Sequence, residues 1–214
     1  LESKGSGMVP KRSPLFAVTV ITLCLVGLVV SLFFLAYRYE KRQTTSSIIS
    51  SAISLGTENG THADFVNKAL KETSIAPTAK VRIFIGPYRQ IFGSDGRLEF
   101  DHPDYYIFLD HYFYHSLNQD GKESVIAHEL GHAVYKLGII EEEWQLIEYK
   151  LRRYRFFSAW RDQIDIKYQI KADTFAAEKT SPESTISLLN KLYPDKDNAD
   201  YKMRLDNLEK LQKQ

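Results

Sequence analysis

Ser124-Val125-Ile126-Ala127-His128-Glu129-Leu130-Gly131-His132-Ala133-Val134 is the stretch on which the reading of this chain turns. Asp120-Gly121-Lys122-Glu123 precedes it and fits a capping box, an acidic side chain at the cap with a glutamate three residues on. The spacing therefore predicts a helix from there to about Leu137, ended by Gly138. On that helix His128 and His132 lie one turn apart on the same face, where two imidazoles can share a metal ion. Glu129 projects roughly 100° away around the helix, within reach of a water beside that ion. Zinc lowers the pKa of such a water to about 7, and a carboxylate so placed takes its proton and later passes it to a leaving amine. Gly131 costs a helix about 1 kcal/mol against Ala, which is tolerable where something must pass close by. The competing reading is an ordinary core helix, given Val125, Ile126, Ala127, Leu130, Ala133 and Val134 around the pair. Two imidazoles and a glutamate buried there would need polar partners, which favours a Zn2+ site. The expectation is His128 and His132 as metal ligands and Glu129 as the catalytic residue.

The 214 residues, 43% hydrophobic and 26% charged, suit one modest domain with an anchor. A net charge of +1 argues against a nucleic-acid partner, which usually demands a large positive excess. The single cysteine, Cys24, lies in an apolar stretch, so neither a disulfide framework nor a cysteine-rich zinc site is available within one chain. Any metal must be held by His, Asp, Glu or an amide.

Residues 15–37 carry no charge and are rich in Leu, Val and Phe. About 20 apolar residues at helical rise span the hydrocarbon core of a bilayer. A cleavable signal peptide would have a shorter apolar region followed by a small-x-small site. Here the run ends in Tyr37-Arg38-Tyr39-Glu40-Lys41-Arg42, an aromatic and basic boundary typical of a retained single-pass anchor. Lys11 and Arg12 on one side balance Arg38, Lys41 and Arg42 on the other, so charge sets no orientation. The organisation expected is a tail over 1–14, with 1–7 an appended remnant before Met8, a transmembrane helix over 15–37, a linker over 38–60 and a domain over 61–214.

Within the soluble part, residues 43–54 are Ser/Thr-rich and read as linker or first helix. Thr61 is placed to cap a helix through about Glu72, with Phe65, Val66, Ala69 and Leu70 on one face. Lys80 to Ile85 alternates as a strand, Ser94-Asp95-Gly96-Arg97 signals a turn between two short strands, and Tyr105 to Leu109 reads as another. Ser181-Pro182 begins a helix, and a last one covers about Ala199 to Leu211. The class expected is α+β, mostly helical with a small β-sheet of about three strands.

Two imidazoles leave a catalytic zinc short of its third protein ligand. Downstream stands Tyr168-Gln169-Ile170-Lys171-Ala172-Asp173-Thr174-Phe175-Ala176-Ala177-Glu178. Together with the first motif it resembles the HtpX and CAAX-prenyl-protease family of membrane gluzincins, whose second motif is Glu-x-x-Ala-Asp followed by an aromatic and a small residue. Ala127, Ser181-Pro182-Glu183-Ser184 and, more weakly, Arg204-Leu205-Asp206-Asn207-Leu208 extend the likeness, which covers about half the chain. The resemblance implies a zincin-like fold and a zinc ligand at the position of Gln169, where the family has Glu. A neutral amide is a poorer zinc ligand than a carboxylate. Three explanations stay open: an inactivating substitution, use of Asp173 as ligand instead, or a relative with weak metal binding. In the family the Asp matching Asp173 orients a ligand His from behind. The family's strand before the catalytic helix lines the substrate cleft, which implicates Tyr105, Ile107 and Leu109 in holding an extended peptide by strand addition.

His111-Tyr112-Phe113-Tyr114-His115 is a second His pair at helical spacing, without an acid between its members, and reads as an aromatic patch beside the site. Arg152 to Arg161 is basic and aromatic, equally suited to a bilayer surface or to a solvated face over core aromatics. Asn59-Gly60-Thr61 fits a glycosylation sequon. The function expected is a membrane-anchored zinc metalloendopeptidase acting on peptide bonds of membrane or membrane-near proteins, with the bilayer contacted through 15–37. The alternative from another class is an inactive zincin-like adaptor that binds peptides or partner proteins. One uncharged spanning segment argues against a transporter or channel.

Overall fold

A computed structural model of the chain describes residues 14–71, 73, 79–101, 103–135 and 155–214. Side chains are described for these except at 14–20, 34, 38, 41, 42 and 155–164. Contacts divide the chain into two units, one ending at Thr44 and one running from Thr45 to Gln214. A helix, α1, covers Pro14–Leu55. In its first part Leu23, Leu25, Val29, Leu32 and Leu35 are exposed. Among the described residues no helix is long and apolar enough to cross a membrane. The span expected over 15–37 lies partly outside the described side chains. The basic stretch from Arg152 to Arg161 also lies outside them.

The second unit is mostly helical with a small mixed sheet, the α+β class expected. Its strands are β1 (Thr57–Glu58), β2 (Val81–Gly86), β3 (Gly96–Asp101) and β4 (Asp104–Asp110). They lie in the order β1-β2-β4-β3. β2 and β4 are parallel, with Ile83 beside Ile107, and β1 and β3 run antiparallel to their neighbours. Four strands replace the three expected, because a two-residue strand such as β1 carries no alternation to read. Ser94-Asp95-Gly96-Arg97 does not join two strands either. It follows a short helix, α3 (Tyr88–Phe92), in which Tyr88 and Phe92 fall on one helical face and stack at 6.0 Å. Gly93 ends that helix with φ 69°, a left-handed position that suits glycine.

The sheet has two covered faces. One carries Ile83, Leu98, Ile107 and Leu109 against Val66 and Ala69 of α2 (Ala63–Leu70), Ile126 and Leu130 of α5 (Gln119–Tyr135) and Phe175 of α6 (Arg155–Lys179). The other carries Phe84 and Phe108, packed with Tyr88 against Ile49 and Ala52 of α1. Ile49 is 3% exposed and Ala52 0%, so the later part of the stretch 38–60, expected as linker, belongs to the folded unit. Tyr88 adds a hydrogen bond from its hydroxyl to the Ala52 carbonyl, 3.0 Å.

The caps explain where the helices begin. Asn118, not Asp120, starts α5. Its Oδ1 accepts from the Gly121 amide at 2.9 Å, while Glu123 turns to the Gln119 side chain. Thr61 does not cap α2, because its amide and hydroxyl both bond to Asn59. The α2 helix ends at Leu70, and Glu72, Leu137 and Gly138 lie outside the described residues. Ser181 caps α7 (Pro182–Leu192) as expected from Ser-Pro, and Asn198 caps α8 (Ala199–Gln212). A short helix α4 (His111–Ser116) connects β4 to α5.

Helices α5 and α6 meet backbone to backbone at Gly131. A Cβ there would lie 2.7 Å from the Ala172 Cα, so only glycine fits. What passes close to the helix at the costly glycine is a second helix.

Candidate metal centre

Helix α5 is buried without interruption from Ser124 to Gly131. His128 and His132 project from it with ring planes at 88°, and their Nε2 atoms converge to 3.2 Å. Two nitrogens each about 2.0–2.1 Å from a tetrahedral ion stand roughly 3.3 Å apart, so the pair has the bite of one zinc.

The outer nitrogen of His128 is also occupied. Nδ1 lies 2.9 Å from Oδ1 of Asp173, close although not aligned as a linear hydrogen bond. A carboxylate on this side favours the proton on Nδ1 and leaves the Nε2 lone pair for a ligand role. Arg204 grips the same carboxylate from α8, Nε donating to Oδ2 at 2.6 Å and Nη2 to Oδ1 at 2.7 Å. Nη1 donates to the Tyr193 hydroxyl at 3.3 Å. Asp173 is 2% exposed and Arg204 4%. Burial alone would push the Asp173 carboxyl up, but the bonds from Arg204 and the closeness of His128 outweigh it and hold it below the usual range. Asp173 thus bonds to Arg204 through both oxygens and lies against the outer nitrogen of His128, the place of a group that orients the ring.

Gln169 lies one turn before Asp173 on α6 and is half-buried. The two helices are antiparallel, as Ser124 bonds to Thr180 while Gly131 meets Ala172. The register therefore sets Gln169 about level with Val134, beyond His132. It lines a cavity of about 310 Å3 with Asp165, Ile166, Tyr193, Asp200 and Arg204. Among the described residues no group of three or more His, Cys, Asp or Glu is arranged to hold a metal. The separation of the imidazole pair fits zinc.

Glu129 turns away from the pair toward the sheet and is 7% exposed. Burial pushes its carboxyl above the ordinary glutamate range, against the pull of His128, Arg97 and the nearby Leu98 amide. A carboxyl so placed holds a proton more readily than an exposed one.

Tyr105, Ile107 and Leu109 are placed differently from the expectation. They belong to β4, which is paired on both sides, and Ile107 and Leu109 are fully buried. Strand addition needs an open edge, and the outer strand beside Glu129 is β3. Its alternation, Arg97 and Glu99 against Leu98 and Phe100, was the signal available in the sequence. Arg204 stood only in the weak terminal likeness, and Tyr193 carried no signal. His111 and His115 are both exposed, on a separate helix.

No family model, curated protein or solved structure matches the chain.

Proposed function

We propose that this chain is a zincin-like zinc metalloendopeptidase, of the kind resembled by the HtpX and CAAX-prenyl-protease family. Residues 15–37 anchor it to a bilayer, and its substrates are membrane or membrane-near proteins. The observation that carries this is the convergence of two Nε2 atoms at 3.2 Å with a buried carboxylate behind one ring.

His128 and His132 hold the ion, with the Gln169 amide as the third ligand. Zinc bound there supplies Lewis acidity toward the scissile carbonyl and the attacking water. Asp173, clamped by Arg204, keeps His128 in the tautomer and orientation that ligation needs. Glu129 accepts the proton of the attacking water on its carboxylate and delivers it to the leaving nitrogen. The outer edge of β3 aligns an extended peptide by main-chain hydrogen bonds.

Glu129→Gln tests the reading. The variant keeps its zinc and loses peptide cleavage by on the order of 10²–10⁴-fold. Equal cleavage by the variant and the wild type overturns it. A second reading, an inactive zincin-like adaptor that binds peptides, draws support from Gln169, where the related motif has Glu. Zinc binding by a wild-type chain that cleaves no peptide would favour the adaptor.

A further inference from the structure

Gly96 opens β3 directly against Glu129. A methyl group built on it would lie 2.8 Å from Glu129 Oε1 and 3.5 Å from its Cδ. The backbone does not require glycine there, since among the described residues Gly93 is the glycine with positive φ. Two residues on, the Leu98 amide lies near enough to the same carboxylate to favour its charged form. Gly96 and Leu98 face Leu109 and Ile107 across the β3–β4 pair, so both are fixed by the sheet.

We infer that Gly96 is a positioning residue for Glu129. Its missing side chain makes the slot in which the carboxylate rests, beside the Leu98 amide. The inference rests on Glu129 being the general base of the proposed reaction. It goes beyond that role by locating the general base's support on the outer strand rather than on the helix that carries it.

The physical consequence of filling the slot is unusual. The atom that a new methyl meets is the end of a flexible side chain, not backbone, so the carboxylate swings aside while strand and core stay in place. A displacement of about 1 Å at a catalytic group can cost on the order of a hundredfold in rate. Stability and metal binding should barely change.

The test is Gly96→Ala in the full chain, read in three ways. Expected are a melting temperature and zinc affinity close to wild type, KM within about threefold and kcat lower by ten- to a hundredfold. In the Glu129→Asp background the shorter carboxylate no longer meets the methyl, so Gly96→Ala adds little further loss. Independently of activity, the Leu98 amide resonance shifts and its hydrogen exchange accelerates in Gly96→Ala, as in Glu129→Ala. An unmoved Leu98 amide with unchanged kcat overturns the inference. So does a large fall in melting temperature, which would make the glycine a packing requirement of the strand. A wild-type chain that cleaves nothing, yet whose Leu98 amide responds to both substitutions, keeps the slot and removes the peptidase reading alone.

Discussion

Two histidine pairs in this chain have the same spacing and different surroundings. His111 and His115 lie one turn apart on the six-residue helix α4, ring centroids 4.5 Å apart, both exposed and with Tyr112, Phe113 and Tyr114 between them. His128 and His132 lie one turn apart on a seventeen-residue buried helix, centroids 4.8 Å apart, with a glutamate between them and a carboxylate behind one ring. The i, i+4 interval brings rings together in either case. What separates a candidate metal centre from a surface patch is the polar scaffold that holds the rings when no ion is there. That scaffold comes from α6 and α8.

The comparison breaks most severely at Arg204. Arg204→Met leaves Asp173 buried without its cationic partner, and such a loss costs about 3–5 kcal/mol. Urea unfolding should show it in full, whereas the same methods applied to His111→Ala should show nothing comparable. Next in size is His132→Ala, which should weaken zinc binding at least a hundredfold, about 2.7 kcal/mol. His115→Ala should leave the same titration unchanged. A weakening of equal size in both variants would dissolve the distinction between the pairs.

Gln169→Glu sharpens the account in the opposite direction. Supplying a carboxylate at the third position should tighten zinc binding by tenfold or more, about 1.4 kcal/mol, measured by competition with a chelator. No gain would mean that residue 169 does not face the ion.

A fifth histidine shows that burial without a metal partner has its own signature. His62 is buried, its Nε2 2.8 Å from the Tyr114 hydroxyl, which also accepts from the Asn59 amide at 3.1 Å. Burial lowers its pKa below 6.5, helped by Lys122 and opposed by Glu123. The unfolded chain therefore binds the proton more readily than the folded one. Stability from this group is complete above the ordinary histidine pKa and declines as pH falls below it. Urea midpoints at pH 7.5 and 5.5 should differ, and His62→Gln should reduce the difference. The smallest effect is expected at His111, where Ala should change stability by no more than about 0.5 kcal/mol.

Much of this was legible in the sequence, and the rest was hidden for physical reasons. The α5 motif, the strands at 81–86 and 104–110, and the Ser-Pro helix start carry strong local signals, and the structure has each of them. The Arg204–Asp173 clamp spans 31 residues and joins two helices whose packing no local pattern announces. Ser/Thr-rich 43–54 read as linker or first helix because its hydroxyls suit solvent as well as a helix. Ser50 and Ser54 bond back to the helix's own carbonyls, while Ile49 and Ala52 pack against the sheet. The slot at Gly96 was masked by reading that glycine as part of a hairpin turn.

The most direct test of the central claim is the anomalous signal of zinc in crystals grown with the metal. The account expects one strong peak between the Nε2 atoms of His128 and His132, about 2.0–2.1 Å from each. A peak on His111 and His115 instead, or none at the α5 pair at saturating zinc, would contradict it.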